Sequence, residues 1–267
     1  MTRFTVVVFS LILISFMFVG LSYARIDEDS IIGMWLFDKG KGDIAIDSTD
    51  NGNDGQINGA KWVDGKFDKA LEFEGAESVD MGNPSSLQFD GDVTIVFWAK
   101  PESVASGRQN IICKSYGGEG CLTMEPDGRL SFYWGDAGGN AQPYVEVARP
   151  APGTFADDEW IHVAETRDVK KRAYKMYKDG KVAAEDAWKK CGAHPCGDST
   201  PSGLNFLIGD GYAGKFRGII DEVALFNVVL SEDDIKNIMT NGLLRATGME
   251  AIFPAGKLTT TWAGIKR

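Results

Sequence analysis

FRGIIDEVALFN, residues 216–227, holds two apolar runs, Ile219-Ile220 and Val223-Ala224-Leu225-Phe226, split by the acidic pair Asp221-Glu222. Ile, Val and Phe at this density read as a core strand. An ionised carboxylate is costly in such a strand unless something pairs it. Asp221 therefore needs a metal ion, a cationic side chain or a set of backbone N–H groups. Immediately downstream, Ser231-Glu232-Asp233-Asp234-Ile235 reads as a helix start, with Ser231 as N-cap and three acids in the first turn. Gly242 fits the residue just past the end of that helix.

Working outward, three more stretches carry strand patterns. They are GMWLFDKGKGDIAIDSTDNGNDGQI (33–57), KALEFEGAESVDMG (69–82) followed by VTIVFWAKP (93–101), and DEWIHVAETRD (158–168) with MYKDGKVAAE (176–185). Together with 216–242 they resemble the concanavalin A-like lectin/glucanase superfamily, in its laminin G-like jelly-roll branch, over roughly residues 31–242. The resemblance implies an all-β fold: a two-sheet antiparallel jelly-roll sandwich with one short C-terminal helix. It also implies a structural calcium ion on the convex side, held by an Asp of the closing strand and by oxygens near the N-terminal strand and an early turn. Carried onto this chain, the ligands are the side chain of Asp221, the carbonyl of Gly75 and an oxygen of Asp38. Function does not follow from the fold, because this superfold carries both binders and hydrolases.

Residues 1–24 have one base, Arg3, an apolar run from Phe4 to Leu21, and Ser22-Tyr23-Ala24 as a small-x-small cleavage site. That is the pattern of a secretory signal peptide, the alternative being an uncleaved N-terminal anchor. The domains are then a signal peptide (1–24), a jelly roll (25–245) and a C-terminal extension (246–267) to which no motif assigns a role. The whole chain carries −10, from 28 bases and 38 acids. Loss of 1–24, with one base and no acid, leaves −11 on the exported product. Such a surface opposes nucleic acid and anionic membranes, where Lys and Arg supply affinity. It suits a domain that takes up divalent cations, and equally one that is merely soluble. Thirty-two Gly among short apolar runs imply many turns and many short strands.

Asp38 to Asn58, dense in Asp, Asn and Gly, reads either as a chain of tight turns or as a calcium loop; it lacks the spacing of an EF-hand. Lys69 to Gly75 alternates like a half-buried strand, whereas Val93 to Lys100 is continuously apolar and belongs at the sandwich centre, with Trp98 in the core. Asp179-Gly180, between two alternating runs, signals a type I′ hairpin turn. Four cysteines at short spacings in an exported chain read as two disulfides, Cys113–Cys121 and Cys191–Cys196. A zinc site at Cys191, His194 and Cys196 is the weaker alternative, for want of a fourth ligand.

Tyr133 to Tyr144 mixes aromatics, amides and small residues, and Trp134, Asp136, Asn140 and Tyr144 are its glycan-contact candidates, since rings stack on sugars and amides bond hydroxyls. The bland reading of this segment is a hairpin loop covering the sheet. Glucanases of the superfamily carry Glu-x-Asp-x-x-Glu; Glu125-Pro126-Asp127 matches its start, but Leu130 stands where the second catalytic carboxyl belongs. Pro126-Asp127-Gly128 also reads as a β-turn, and His162, in alternation with Trp160 and Ala164, reads as structural. The chain is thus expected to be a secreted, non-catalytic carbohydrate- or glycoprotein-binding module with a structural Ca2+, its partner a glycan or a cell-surface glycoprotein. A structural or adhesive protein-interaction domain is the alternative, and a glycoside hydrolase is opposed by Leu130.

Overall fold

The computed structural model of the chain describes residues 26–142, 144–147, 149–187 and 199–251. Two antiparallel sheets pack face to face as a jelly-roll sandwich. The back sheet joins, edge to edge, β4 (Lys61–Asp64), β5 (Lys69–Glu74), β16 (Arg217–Phe226), β7 (Val93–Pro101), β12 (Ile161–Asp168), β13 (Ala173–Lys178) and β14 (Lys181–Ala187). The N-terminal strand β1 (Ile31–Trp35) also pairs with β16, through its second half. The front sheet runs β2 (Ile44–Ala45), β3 (Gly55–Asn58), β6 (Ser78–Asp80), β15 (Leu207–Ile208), β8 (Gln109–Ser115), β9 (Gly120–Met124), β10 (Leu130–Gly135) and β11 (Tyr144–Val147).

The expected core strand is β16, and the back sheet explains its unbroken apolar runs. Ile220, Val223 and Leu225 face the sandwich interior, while Ala224 and Phe226 face outward under the C-terminal helices. A strand covered on both sides has no polar phase. Inward-facing Ile220 and Val223 are three residues apart because β16 carries a bulge. Asp221 pairs with Trp98 and Ala224 with Val96, so two residues oppose Phe97. Glu222 absorbs the extra residue with φ +52°, a left-handed conformation that costs a non-glycine residue about 1 kcal/mol or more.

The helix start at Ser231 forms a full capping box with Asp234 ahead of α1 (Glu232–Asn241). Gly242, at φ +78°, ends it, and a second short helix, α2 (Leu243–Thr247), follows at once. Ile235, Ile238, Leu243, Ala246 and Met249 lie together against the outer face of the back sheet. The sandwich therefore incorporates the first residues beyond 245. Trp98 and His162 are buried on the same outer face, 5.1 Å apart between ring centroids, in keeping with the structural reading of both. Asp179 and Gly180 take φ +49° and +71° in the β13–β14 hairpin, as a type I′ turn requires. The Cys113–Cys121 disulfide joins directly paired residues of β8 and β9. The expected Cys191–Cys196 bridge, the expected signal peptide and the rest of the C-terminal extension fall outside the described residues.

One part of the interior is polar. Arg167, fully buried, donates to the carbonyls of Phe89 (2.7 Å), Gly91 (2.9 Å) and Glu119 (3.0 Å). Glu165, on the same inward face of β12, is wholly buried and neither carboxyl oxygen has a hydrogen-bond partner. Burial holds its pKa well above the usual carboxylate range, against the pull of Arg167. Native protein thus keeps a proton that the unfolded chain loses above about pH 4.5, so this group makes stability fall as pH rises toward the folded pKa. Glu165→Met is expected to flatten that fall and to be the more stable protein at pH 8 by about 1–3 kcal/mol, with a smaller gain at pH 4. Urea unfolding at the two pH values measures it, and a gain independent of pH would refute the assignment.

Candidate functional site

Two clusters of polar and aromatic side chains stand out, one on each sheet. The first is the acidic pair of β16. The bulge puts Asp221 at the junction where β1 leaves the strand edge and β5 takes over its pairing. Asp221 is fully buried, and its Oδ2 accepts from the amides of Lys66 (2.8 Å) and Phe67 (2.9 Å) in the β4–β5 turn. Gly65 leaves room for this: a Cβ there would lie 2.6 Å from the same oxygen. Backbone N–H groups, one of the three partners anticipated, hold one oxygen. The other, Oδ1, has no hydrogen-bond partner.

Asp38, just past β1, accepts from the amide of Lys69 at 3.3 Å, and Glu222 Oε2 accepts from the amide of Leu243 at 2.5 Å. Burial pushes all three acids up, Asp38 to about 6, Asp221 to about 7 and Glu222 to about 8. After burial, the charge of Asp38 further raises Asp221, and both raise Glu222, while the amides pull the other way. Gly75 is not part of this group. β5 pairs Leu71 with Ile220 and Glu74 with Arg217, so Gly75 lies about five residues, roughly 17 Å, along the strand from Asp221. Its neighbour there is the Arg217 side chain. The Asp/Asn-rich run after Asp38 folds into turns: Asp47 accepts from the amides of Met34, Thr49 and Asn53.

The second cluster lies on the outward face of the front sheet. Ring contacts link Tyr133 to Tyr144 (6.0 Å), Tyr144 to Tyr116 (4.8 Å) and Tyr116 to Tyr212 (4.7 Å). The row ends beside a groove of about 570 Å3 whose lining includes Asp80, Lys114, Asn140, Asn205, Asp210 and Tyr212. That volume is within the range of small-ligand sites, about 300–1,000 Å3. Tyr212 is 68% exposed, the most exposed large apolar side chain described.

Local structure holds each tyrosine in place. Tyr212 rides on a loop that closes on itself through Phe216 N to Gly209 O (2.9 Å) and joins β8 through Gly209 N to Ile111 O (2.8 Å). Gly211 permits the close seat, since a Cβ there would lie 2.7 Å from Cβ of the disulfide-bonded Cys113. Tyr116 sits on the β8–β9 turn, and its hydroxyl donates to the carbonyl of Asn140 at 2.7 Å. The turn's other end is Glu119, whose Oε1 accepts from Ser202 N at 2.9 Å and lies 3.6 Å from Lys114 Nζ, both side chains fully buried. Glu119's carbonyl receives Arg167 from the back sheet, so buried polar contacts span the sandwich beneath the tyrosines. Tyr133 donates to Glu125 Oε1 at 3.1 Å, and Arg108 lies over its ring at 4.9 Å while bonding the same carboxylate. Burial first, then Glu125 and Glu146, push the Tyr133 phenol up, so it remains a donor.

Of the residues chosen from sequence, Asn140 and Tyr144 belong to this surface, and half-buried Asp136 begins the same loop, its carbonyl accepting from Thr200 Oγ1 at 2.9 Å. Trp134 does not belong: it is fully buried in the interior, 5.4 Å from the Tyr174 ring. Tyr116, Tyr133 and Tyr212 complete the surface. Glu125 to Gly128 forms the expected turn, closed by Gly128 N to Glu125 O at 2.9 Å.

Solved structures of the same fold include domain 4 of a GH43 extracellular arabinanase from Geobacillus stearothermophilus in complex with arabinotriose. It matches with TM-score 0.60 and 20% identity over 79% of this chain and 98% of that one. The binding domain of Paraclostridial Mosquitocidal Protein 1 matches with TM-score 0.61 and 13% identity, over 79% of this chain and 52% of that one. The botulinum neurotoxin serotype D ligand binding domain in complex with N-acetylneuraminic acid matches with TM-score 0.57 and 14% identity, over 79% and 51%. The chain spans about half the length of these last two. Among curated proteins no sequence relative matches. The profile of a laminin G family, described as the concanavalin A-like lectin/glucanases superfamily, matches residues 73–236. With most of the sandwich inside that match, the chain belongs to the laminin G-like branch of the concanavalin A-like lectin/glucanase superfamily.

Proposed function

We propose that this chain is an exported, non-catalytic carbohydrate-binding module, with its sugar site on the front sheet and a structural calcium ion at the Asp221 junction of the back sheet. The row of tyrosines leading to the groove is the observation that carries the sugar reading. Aromatic rings supply the apolar faces on which sugar rings stack, and Asp80, Asp210, Asn140 and Asn205 supply acceptors and donors for hydroxyls. The arabinotriose and N-acetylneuraminic acid complexes of similarly folded domains point the same way. A binding role is favoured over hydrolysis because Leu130 is an interior side chain and the Glu125 carboxylate is engaged by Arg108 and Tyr133. Export is favoured by the pattern of residues 1–24 and by the Cys113–Cys121 disulfide, a bond that persists in oxidising compartments.

Calcium fits the chemistry at Asp221. The cation takes carboxylate and carbonyl oxygens, and here buried Asp221 Oδ1 lacks a partner while Asp38 crowds it with like charge. Asp221 would be a direct ligand and Asp38 a second. The ion would offset the burial that otherwise makes these acids hold protons, and the charge of Asp38 that adds to it at Asp221.

Two measurements test the two halves. Tyr212→Ala is expected to weaken binding of an oligosaccharide such as arabinotriose about tenfold, about 1.4 kcal/mol, with the unfolding midpoint unchanged because the ring is exposed. Titration calorimetry reads the first and calorimetric scanning the second; an unaltered affinity would sink the groove assignment. For the ion, calcium at about a hundred times its Kd adds about 2.7 kcal/mol. For a domain of this size that raises the thermal midpoint by about 5–10 °C. The rise is expected in wild type and absent in Asp221→Asn. A wild-type midpoint indifferent to calcium and chelator would remove the ion from the account.

A further inference from the structure

Resting on the glycan reading of the groove, we propose that it selects uncharged oligosaccharides and turns away those bearing a carboxylate, sialylated or uronic-acid glycans. The argument is an inventory of charge. Recognition of a carboxylate calls for a cation with hydrogens to give, best a guanidinium fork. Among the described residues, Lys114, Lys215 and Arg108, the basic side chains at the groove and its tyrosine border, are each already paired with an acid. Lys114 Nζ donates to Asn83 Oδ1 and to the carbonyl of Leu204 (2.8 Å), and its charge is paired with Glu119 Oε1 at 3.6 Å, both side chains being fully buried. Lys215 Nζ donates to the carbonyl of Ala76 (2.8 Å) and pairs with Asp210 at 3.1 Å. Arg108 directs its Nε–H to both oxygens of Glu125, at 3.2 and 3.1 Å, and its guanidinium carbon lies 4.9 Å from the Tyr133 ring centre.

Acceptors remain. Asp80 takes one bond at each oxygen, from Gly82 N (2.7 Å) and Asn205 Nδ2 (3.0 Å), and a carboxylate oxygen can take another. Asp210, two residues past the short strand β15, also lines the groove; it accepts from Gly211 N at 2.7 Å and its charge is shared with Lys215, so Asp80 is the carboxylate that stands without a cation. Sugar hydroxyls donate to such oxygens. A ligand carboxylate offers only acceptors, and two like charges about 4 Å apart repel by about 1 kcal/mol in water and about 4 kcal/mol near a protein surface. Even the smaller figure corresponds to a preference of roughly fivefold, and the larger to several hundredfold.

The test is titration calorimetry at low salt with length-matched trisaccharides: 3′-galactosyllactose against 3′-sialyllactose, and neutral trisaccharides of arabinose, glucose and galactose against trigalacturonate. Neutral members are expected to bind at least about fivefold tighter than their acidic counterparts. The gap should narrow as salt rises and in the Asp80→Asn/Asp210→Asn double variant, whose affinity for acidic members rises relative to neutral ones. Equal or tighter binding of the acidic members would overturn the selectivity while leaving the glycan reading intact. An absence of binding by every member of both sets would overturn the glycan reading and the selectivity with it.

Discussion

The hydrogen bonds from the Lys66 and Phe67 amides to the Asp221 carboxylate fix how the β4–β5 turn meets the closing strand β16. β16 needs two partners along one edge, β5 for its first half and β1 for its second. Where they change over, the ladder is interrupted and a bulge is required. Asp221 fills the gap by accepting from the turn that leads into β5, and Glu222, one residue on, accepts from the first amide of α2. One acidic dipeptide thereby fastens an early hairpin on one side and the C-terminal helices on the other. The cost is a left-handed Glu222 and two neighbouring carboxyls whose ionised forms burial disfavours.

The C-terminal helices cover the middle of the back sheet's outer face, whereas the front sheet carries the tyrosine row and the groove on its outward face. Its inward residues complete the core, and its outward residues are free to vary in chemistry. The shortness of β15 leaves a depression between β6 and β8, and the loops flanking it become the walls of the groove. Stiffness at this surface comes from below. Lys114, Glu119 and Arg167 carry polar contacts through the sandwich to the turn bearing Tyr116. The Cys113–Cys121 disulfide underlies the loop bearing Tyr212. Such support lets aromatic side chains bind without first losing much conformational freedom.

Much of the scaffold was legible because its causes are local. The apolar runs of β7 and β16, the Asp179-Gly180 turn and the Ser231 cap each carry their own chemistry. So does the tension of an acid inside β16, although its side chain could not reveal which amides answer it. The tyrosine surface was only partly legible, since Tyr116 and Tyr212 come from segments far from 133–144, and Tyr116 meets Tyr133 and Tyr144 through the register of β8, β9, β10 and β11. Trp134 was misplaced although a signal existed: it is in phase with Leu130 and Phe132, so period-two alternation puts it with them in the interior. Gly75 was misplaced because a ligand set transferred by resemblance ignores strand register, and β5 carries that glycine away from Asp221.

The most direct test of the account is amide chemical-shift mapping of the 15N-labelled domain during titration with a neutral oligosaccharide such as arabinotriose. The account predicts perturbations concentrated at Tyr116, Asn140, Asn205 and the Asp210–Tyr212 loop, with the Lys66–Phe67 turn and α1 unmoved. Perturbations gathered instead on the outer face of the back sheet, or none at saturating sugar, would contradict the assignment of the front-sheet groove as the binding site.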